Sequence, residues 1–158
     1  MPEKPSITVR KAQPADATTI LTLIDALADY EKLARPDEAA RQRLVTDAFA
    51  ERPRFDVFLA ETGEGAIAGY AFVFETYSTF RALPTLYLED IFVLPEFRGT
   101  GAGSALFQKV TDEAKARGCG RVEFVVLDWN TLAQEFYKRK GARHLADWQF
   151  YRLESDQF

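Results

Sequence analysis

The chain has 158 residues, 47% hydrophobic and 13% aromatic, with a net charge of −4 from 24 acidic and 20 basic side chains. One domain, residues 1–158, can bury a real core at this length, and the dispersed, mildly acidic charge argues against nucleic acid and suits a cationic partner. The single cysteine, Cys119, excludes an intrachain disulfide or a cysteine zinc cage and fits a reducing cytoplasm, while the polar N-terminus and the lack of about 18 consecutive apolar residues predict neither a secretion signal nor a membrane span.

Residues 6–11 (SITVRK) alternate and are β-branched, which predicts a strand. Pro14 then opens a helix with Ala17, Ile20, Leu21, Ile24, Leu27 and Ala28 on one face, ending near residues 29–32. A second helix is expected over 37–50, burying Leu44, Val45, Ala48 and Phe49. Residues 55–61 and 66–77 flank the turn TGEG and read as an antiparallel hairpin. Residues 86–93 add another strand, with Tyr87, Glu89, Ile91 and Val93 on one face and Leu88, Asp90, Phe92 and Leu94 on the other. A helix over 103–117 buries Leu106, Phe107, Val110 and Ala114 and stops at Gly118 in a left-handed cap. Residues 121–127 predict a strand, 131–140 a short helix closed by Gly141, and 144–154 one or two final strands. This order implies an α/β (α+β) fold with a mixed sheet, because hairpins pair antiparallel and strand–helix–strand units pair parallel.

Arg98-Gly-Thr-Gly-Ala-Gly103 joins a strand to a helix. Glycines there permit positive φ, and the N–H groups of a helix start favour an anion such as a pyrophosphate. A tight turn without ligand is an equal reading of the glycines alone. Spacing excludes a Walker loop and a dinucleotide fingerprint. The run resembles the signature of the GNAT superfamily of N-acetyltransferases, Arg/Gln-x-x-Gly-x-Gly/Ala at a helix start. Further blocks carry the likeness: LADYEK (27–32), YLEDIFV (87–93), FRGTGAGS (97–104), LDWN (127–130) and FYKRKGA (136–142). They are most similar to diamine (spermidine/spermine-type) and thialysine acetyltransferases.

The resemblance implies a single-domain GNAT fold, with a mostly antiparallel twisted sheet, strands that splay apart and about four flanking helices. It implies acetyl transfer from acetyl-CoA to a primary amine, directly in a ternary complex and without a metal. Glu89 then removes the amine proton and Tyr137 protonates the departing thiolate. Each has a structural alternative, a buried ion pair for Glu89 and helix packing against Ala133 for Tyr137. Cofactor contacts fall to Ile91, Phe92, Val93, Arg98, Gly99, Thr100, Gly101, Ala102, Gly103, Ser104, Asn130, Ala133 and Tyr137. Substrate contacts fall to Tyr30, Glu31, Glu89 and Asp90, with Asp90 equally able to brace the fold. Asn130 also suits a helix cap. Cys119 and His144 are expected to be bystanders.

Spermidine-type relatives carry Asp-Pro-Trp after a tyrosine ahead of the catalytic strand, whereas this chain has Tyr77-Ser-Thr-Phe80. That departure weakens a long polyamine as substrate and makes a lysine-like amino acid or short diamine competitive with it. A peptide N-acetyltransferase and a non-catalytic acyl-CoA-binding module are the competing readings. A cytoplasmic homodimer is expected, with Trp148, Phe150 and Tyr151 as interface or core.

Overall fold

The N-terminal alternating run forms β1 (Ile7–Lys11) in the computed structural model, which describes residues 3–158. Pro14 opens a short 3-10 turn, Pro14–Asp16, which leads into α1 (Ala17–Glu31). The chain continues through α2 (Glu38–Ala48), β2 (Asp56–Thr62), β3 (Ile67–Ser78), β4 (Leu83–Val93), α3 (Ala102–Ala116), β5 (Arg121–Glu123) and α4 (Thr131–Arg139). The strands lie in the order β1-β2-β3-β4-β5. The first three pairings are antiparallel and β4–β5 is parallel, as the α3 crossover requires. The expected mixed, mostly antiparallel sheet is borne out.

The chain divides into two compact units, one ending at Phe124 and the other Val125–Phe158. The first holds the whole sheet. On one face α1 packs Ile20 and Leu23 against Val57, Leu59, Tyr70, Phe72 and Phe92. The other face carries Phe58, paired in register with Ala71, and lies under α3, whose Lys109 ammonium stands 5.2 Å from the Phe58 ring centre. All four residues expected to bury from α3 do so, together with Ala102. Leu106, Phe107 and Val110 each contribute about 1.5–3 kcal/mol on burial, the two alanines less. Gly118 takes a left-handed φ of 69° and closes α3 with a bond from the Cys119 N–H to the Ala114 carbonyl.

Two helix expectations need correction. The stripe Leu44, Val45, Ala48 and Phe49 is only half-buried, and α2 has no fully buried residue. Asp37 is the N-cap of α2 and not its first residue, its carboxylate accepting from the Ala40 N–H at 2.8 Å.

In the second unit Asn130 caps α4, accepting from the Ala133 N–H at 3.1 Å, and Gly141 ends it with φ 88°. The strands expected over 144–154 do not form: the described residues there have no ladder partner, and a strand stands only on one. Trp148, Phe150 and Tyr151 are 76%, 69% and 82% exposed. The strand expected over 121–127 shrinks to three residues for the same reason, since pairing with β4 ends at Tyr87 opposite Glu123.

Candidate active site

β4 does not alternate regularly through its two carboxylates. Phe72 of β3 pairs with Asp90 and Val73 with Leu88, so Glu89 is an extra residue, a β-bulge. The bulge inverts the faces beyond it. Tyr87, Asp90 and Phe92 lie opposite Phe74, Phe72 and Tyr70, on the α1 face. Leu88 and Ile91 lie opposite Val73 and Ala71, on the α3 face. The two-face assignment read from the sequence is therefore wrong for Tyr87 and Leu88 relative to Asp90. Bulges commonly re-aim side chains at active sites.

Three carboxylates gather as a result. Burial pushes the Asp90 carboxyl up to about 6, against the hydrogen bond from Tyr70, with Glu89 and Glu31 adding repulsion. Burial also raises the Glu31 carboxyl, with the Glu89 charge adding to it. Tyr87 is raised by burial first and then by Glu89 and Glu123. Glu89 itself is exposed. The arginine and lysine bridges of the first unit run to other acids, among them Asp16, Asp25, Asp56 and Glu113. The buried ion-pair alternative for Glu89 is not what forms.

Beside this cluster, Tyr30 at the end of α1 packs on Phe92, ring centres 5.9 Å apart. The Arg98 guanidinium lies 5.0 Å from the Tyr30 ring centre and 5.7 Å from that of Phe92, and its Nε donates to the Val93 carbonyl at 3.3 Å. Arg98 thus ties the glycine turn to α1 and to the end of β4.

In that turn Gly99 and Gly101 adopt φ of 78° and 95°, values closed to most side chains. A Cβ on either would meet no atom within 4 Å. Glycine is therefore required there for its backbone, and the space beside the turn is open to a ligand. The Ala105 N–H is the first of α3 to bond within the helix, to the Gly101 carbonyl at 2.9 Å. The preceding N–H groups of Ala102 and Gly103 are the donors a helix start offers to a phosphate. Thr100 turns its hydroxyl inward, donating to the Phe97 carbonyl at 2.6 Å.

β5 pairs with β4 only over Thr85–Tyr87, so β4 runs on through Leu88–Val93 without it. That edge offers main-chain groups to an extended ligand arm. Phe92 directs its side chain into the core, which leaves its backbone for that role. In the second unit Tyr137 is the buried residue of α4, and the Ala133 N–H is taken by the Asn130 cap. Cys119 is raised by burial and then by Glu75, which keeps it a thiol. Sequence reasoning missed one member of the first unit's site. Tyr70 donates its hydroxyl to Asp90 at 3.0 Å, a bond that exists only across the β3–β4 ladder.

A sheet of this order, beside a glycine turn that opens a helix, is the acetyltransferase fold. A solved structure described as a probable acetyltransferase matches with a TM-score of 0.81 at 20% identity, over 93% of this chain and 97% of that one. The sequence model described as the Acetyltransferase (GNAT) family matches residues 21–142, and the chain belongs to that family. Thialysine N-epsilon-acetyltransferase of Sus scrofa is 38% identical, covering 96% of this chain and 94% of the relative. L-ornithine N5-acetyltransferase of Arabidopsis thaliana is 36% identical over 67% of this chain and 47% of its own length. Spermidine/spermine N(1)-acetyltransferase-like protein 1 of Homo sapiens is 28% identical over 94% of this chain and 23% of its own length. The chain is an N-acetyltransferase.

Proposed function

We propose that residues 1–158 act as one acetyl-CoA-dependent domain that acetylates the primary amine of a small molecule, a lysine-like amino acid such as thialysine or a short diamine. The observation that carries this reading is the clustering of Glu31, Glu89 and Asp90, three carboxylates whose charges repel one another beside the β4 bulge. An ammonium substrate supplies the opposite charge. The N-epsilon and N5 positions in the relatives' names are side-chain amines, which fits the same chemistry.

The glycine turn fits the phosphates of the cofactor: open space beside Gly99 and Gly101 lies before the Ala102 and Gly103 N–H groups. Arg98 and Ser104 flank it, the edge of Ile91–Val93 takes the extended arm, and Asn130 and Ala133 complete the contacts. Bound acetyl-CoA supplies an activated acyl carbon and a sulfur leaving group, so that a C–N bond forms as a C–S bond breaks. Glu31, Asp90 and Tyr30 hold the ammonium. An amine with pKa near 10.4 is almost wholly protonated at pH 7, an obstacle of roughly 4–5 kcal/mol. Glu89, exposed at the bulge, takes the proton through water and frees the nitrogen lone pair. A backbone N–H of β4 polarises the thioester carbonyl. Tyr137 gives its phenolic proton to the departing sulfur and recovers one from solvent, and the second amine proton leaves by way of Glu89.

A panel of lysine analogues, putrescine, spermidine and peptides, assayed by thiol release from acetyl-CoA, tests the reading. Turnover of small lysine-like or diamine substrates supports it; turnover of peptides alone overturns it. Glu89→Gln is expected to lower kcat by about 100- to 10,000-fold with acetyl-CoA binding unchanged by calorimetry. Full activity in that variant removes Glu89 from the chemistry. The same reading includes a cytoplasmic homodimer, supported by the free Cys119 and by the exposed Trp148, Phe150 and Tyr151.

A further inference from the structure

Tyr70 sits within β3 and is fully buried. Its hydroxyl donates to Asp90 Oδ2 at 3.0 Å. Register explains the reach: Phe92 faces Tyr70 directly and Asp90 faces Phe72, two residues on along the same face of β3. A phenylalanine would fill nearly the same volume, and a buried hydroxyl costs free energy unless it is bonded. The hydroxyl therefore has the Asp90 carboxylate as its function. Three groups act on the Asp90 charge: Tyr70 from β3 by its hydrogen bond, and Glu89 from the bulge of β4 and Glu31 from the end of α1 by repulsion. Both glutamates repel its charge, and of the three only the tyrosine favours it.

We propose that Tyr70 is a positioning residue for amine recognition, its hydroxyl holding Asp90 as an oriented, charged acceptor for the substrate ammonium. Without that donor the carboxylate of a crowded acidic face takes up a proton, and the face loses one charge toward the amine. The inference rests on the small-molecule amine reading above and adds a residue that selects cationic substrates without touching them.

Tyr70→Phe is the test, with the Asp90 carboxyl followed by carbon NMR and kinetics measured from pH 5.5 to 9. The amine KM at pH 7 is expected to rise at least about 2-fold, the loss of charge that a one-unit upward shift from about 6 produces, with kcat and the acetyl-CoA KM nearly unchanged. The Asp90 midpoint and the acid limb of kcat/KM for the amine should both move up by about one pH unit. In an Asp90→Asn background the same substitution should add nothing to the amine KM. An unmoved Asp90 midpoint, or an unchanged amine KM beside a raised one in Asp90→Asn, overturns the role of Tyr70 alone. An Asp90→Asn enzyme with wild-type amine KM overturns the acidic-face reading as well. A loss of thermal stability with an unmoved pH profile reduces Tyr70 to packing and also overturns the proposal.

Discussion

Asp90 shows what a residue gives up to serve a site. Its carboxyl titrates at about 6 against an ordinary value of 3.8, because burial and two neighbouring glutamates disfavour the charge. The folded protein thus holds this proton more tightly than the unfolded chain does. Stability from this group is present below about pH 4 and is lost as pH rises through about 6. Asp90→Asn removes the cost while keeping an oxygen for the Tyr70 hydroxyl. Urea titrations at pH 7 should find the variant more stable by about 1–3 kcal/mol, the gap closing by about pH 4. The amine KM should rise in the same variant, since the lost charge served the substrate. Equal stability at pH 7 would mean that Asp90 is not held charged against its surroundings.

At the scale of elements, the decisive feature is the single-residue offset between β3 and β4. Three residues along the same ladder the two strands approach closely, where Gly69 pairs with Val93. A Cβ at Gly69 would collide with the Phe92 carbonyl oxygen and crowd the Val93 Cα at 3.0 Å. Both are backbone, so neither can yield by changing rotamer. Gly69→Ala is expected to cost about 1–3 kcal/mol, read as a lower urea midpoint at unchanged slope. Because Phe92 carries Tyr30 and Arg98 on its ring, the amine KM should rise as well. Unaltered stability would show that the two strands separate more easily than their register implies. This offset also marks the limit of what the sequence tells. The α3 face, the caps and the glycine turn follow from local chemistry: Leu106, Phe107, Val110 and Ala114 stand where periodicity puts them and Asn130 and Gly118 where cap chemistry does, whereas the expected α1 face omits its most buried residue, Leu23. A bulge comes from pairing between strands, which period-two alternation in one strand does not encode. Tyr70 was invisible for the same reason: its partner lies 20 residues away and meets it only across the ladder. The tail misled in the opposite sense, since its pattern is that of a strand but a strand also needs a neighbour.

For the whole molecule that tail poses a problem of solubility. Leu145, Trp148, Phe150, Tyr151, Leu153 and Phe158 are all exposed large apolar side chains within the last fourteen residues. Soluble monomers seldom present so many in one short stretch, and such a surface marks an interaction site. A second copy is the economical partner, because twofold association makes one surface serve both sides. The net charge of −4 is small enough not to oppose it strongly at moderate ionic strength. Light scattering after gel filtration should therefore give about twice the chain mass of 17.9 kDa. Trp148→Ser with Phe150→Ser should shift that mass toward the monomer, while circular dichroism keeps the helix and strand signal of the first unit. A wild-type monomer rejects the homodimer outright. A dimer that survives the double substitution places the interface elsewhere on the chain and leaves the aromatic tail for another partner.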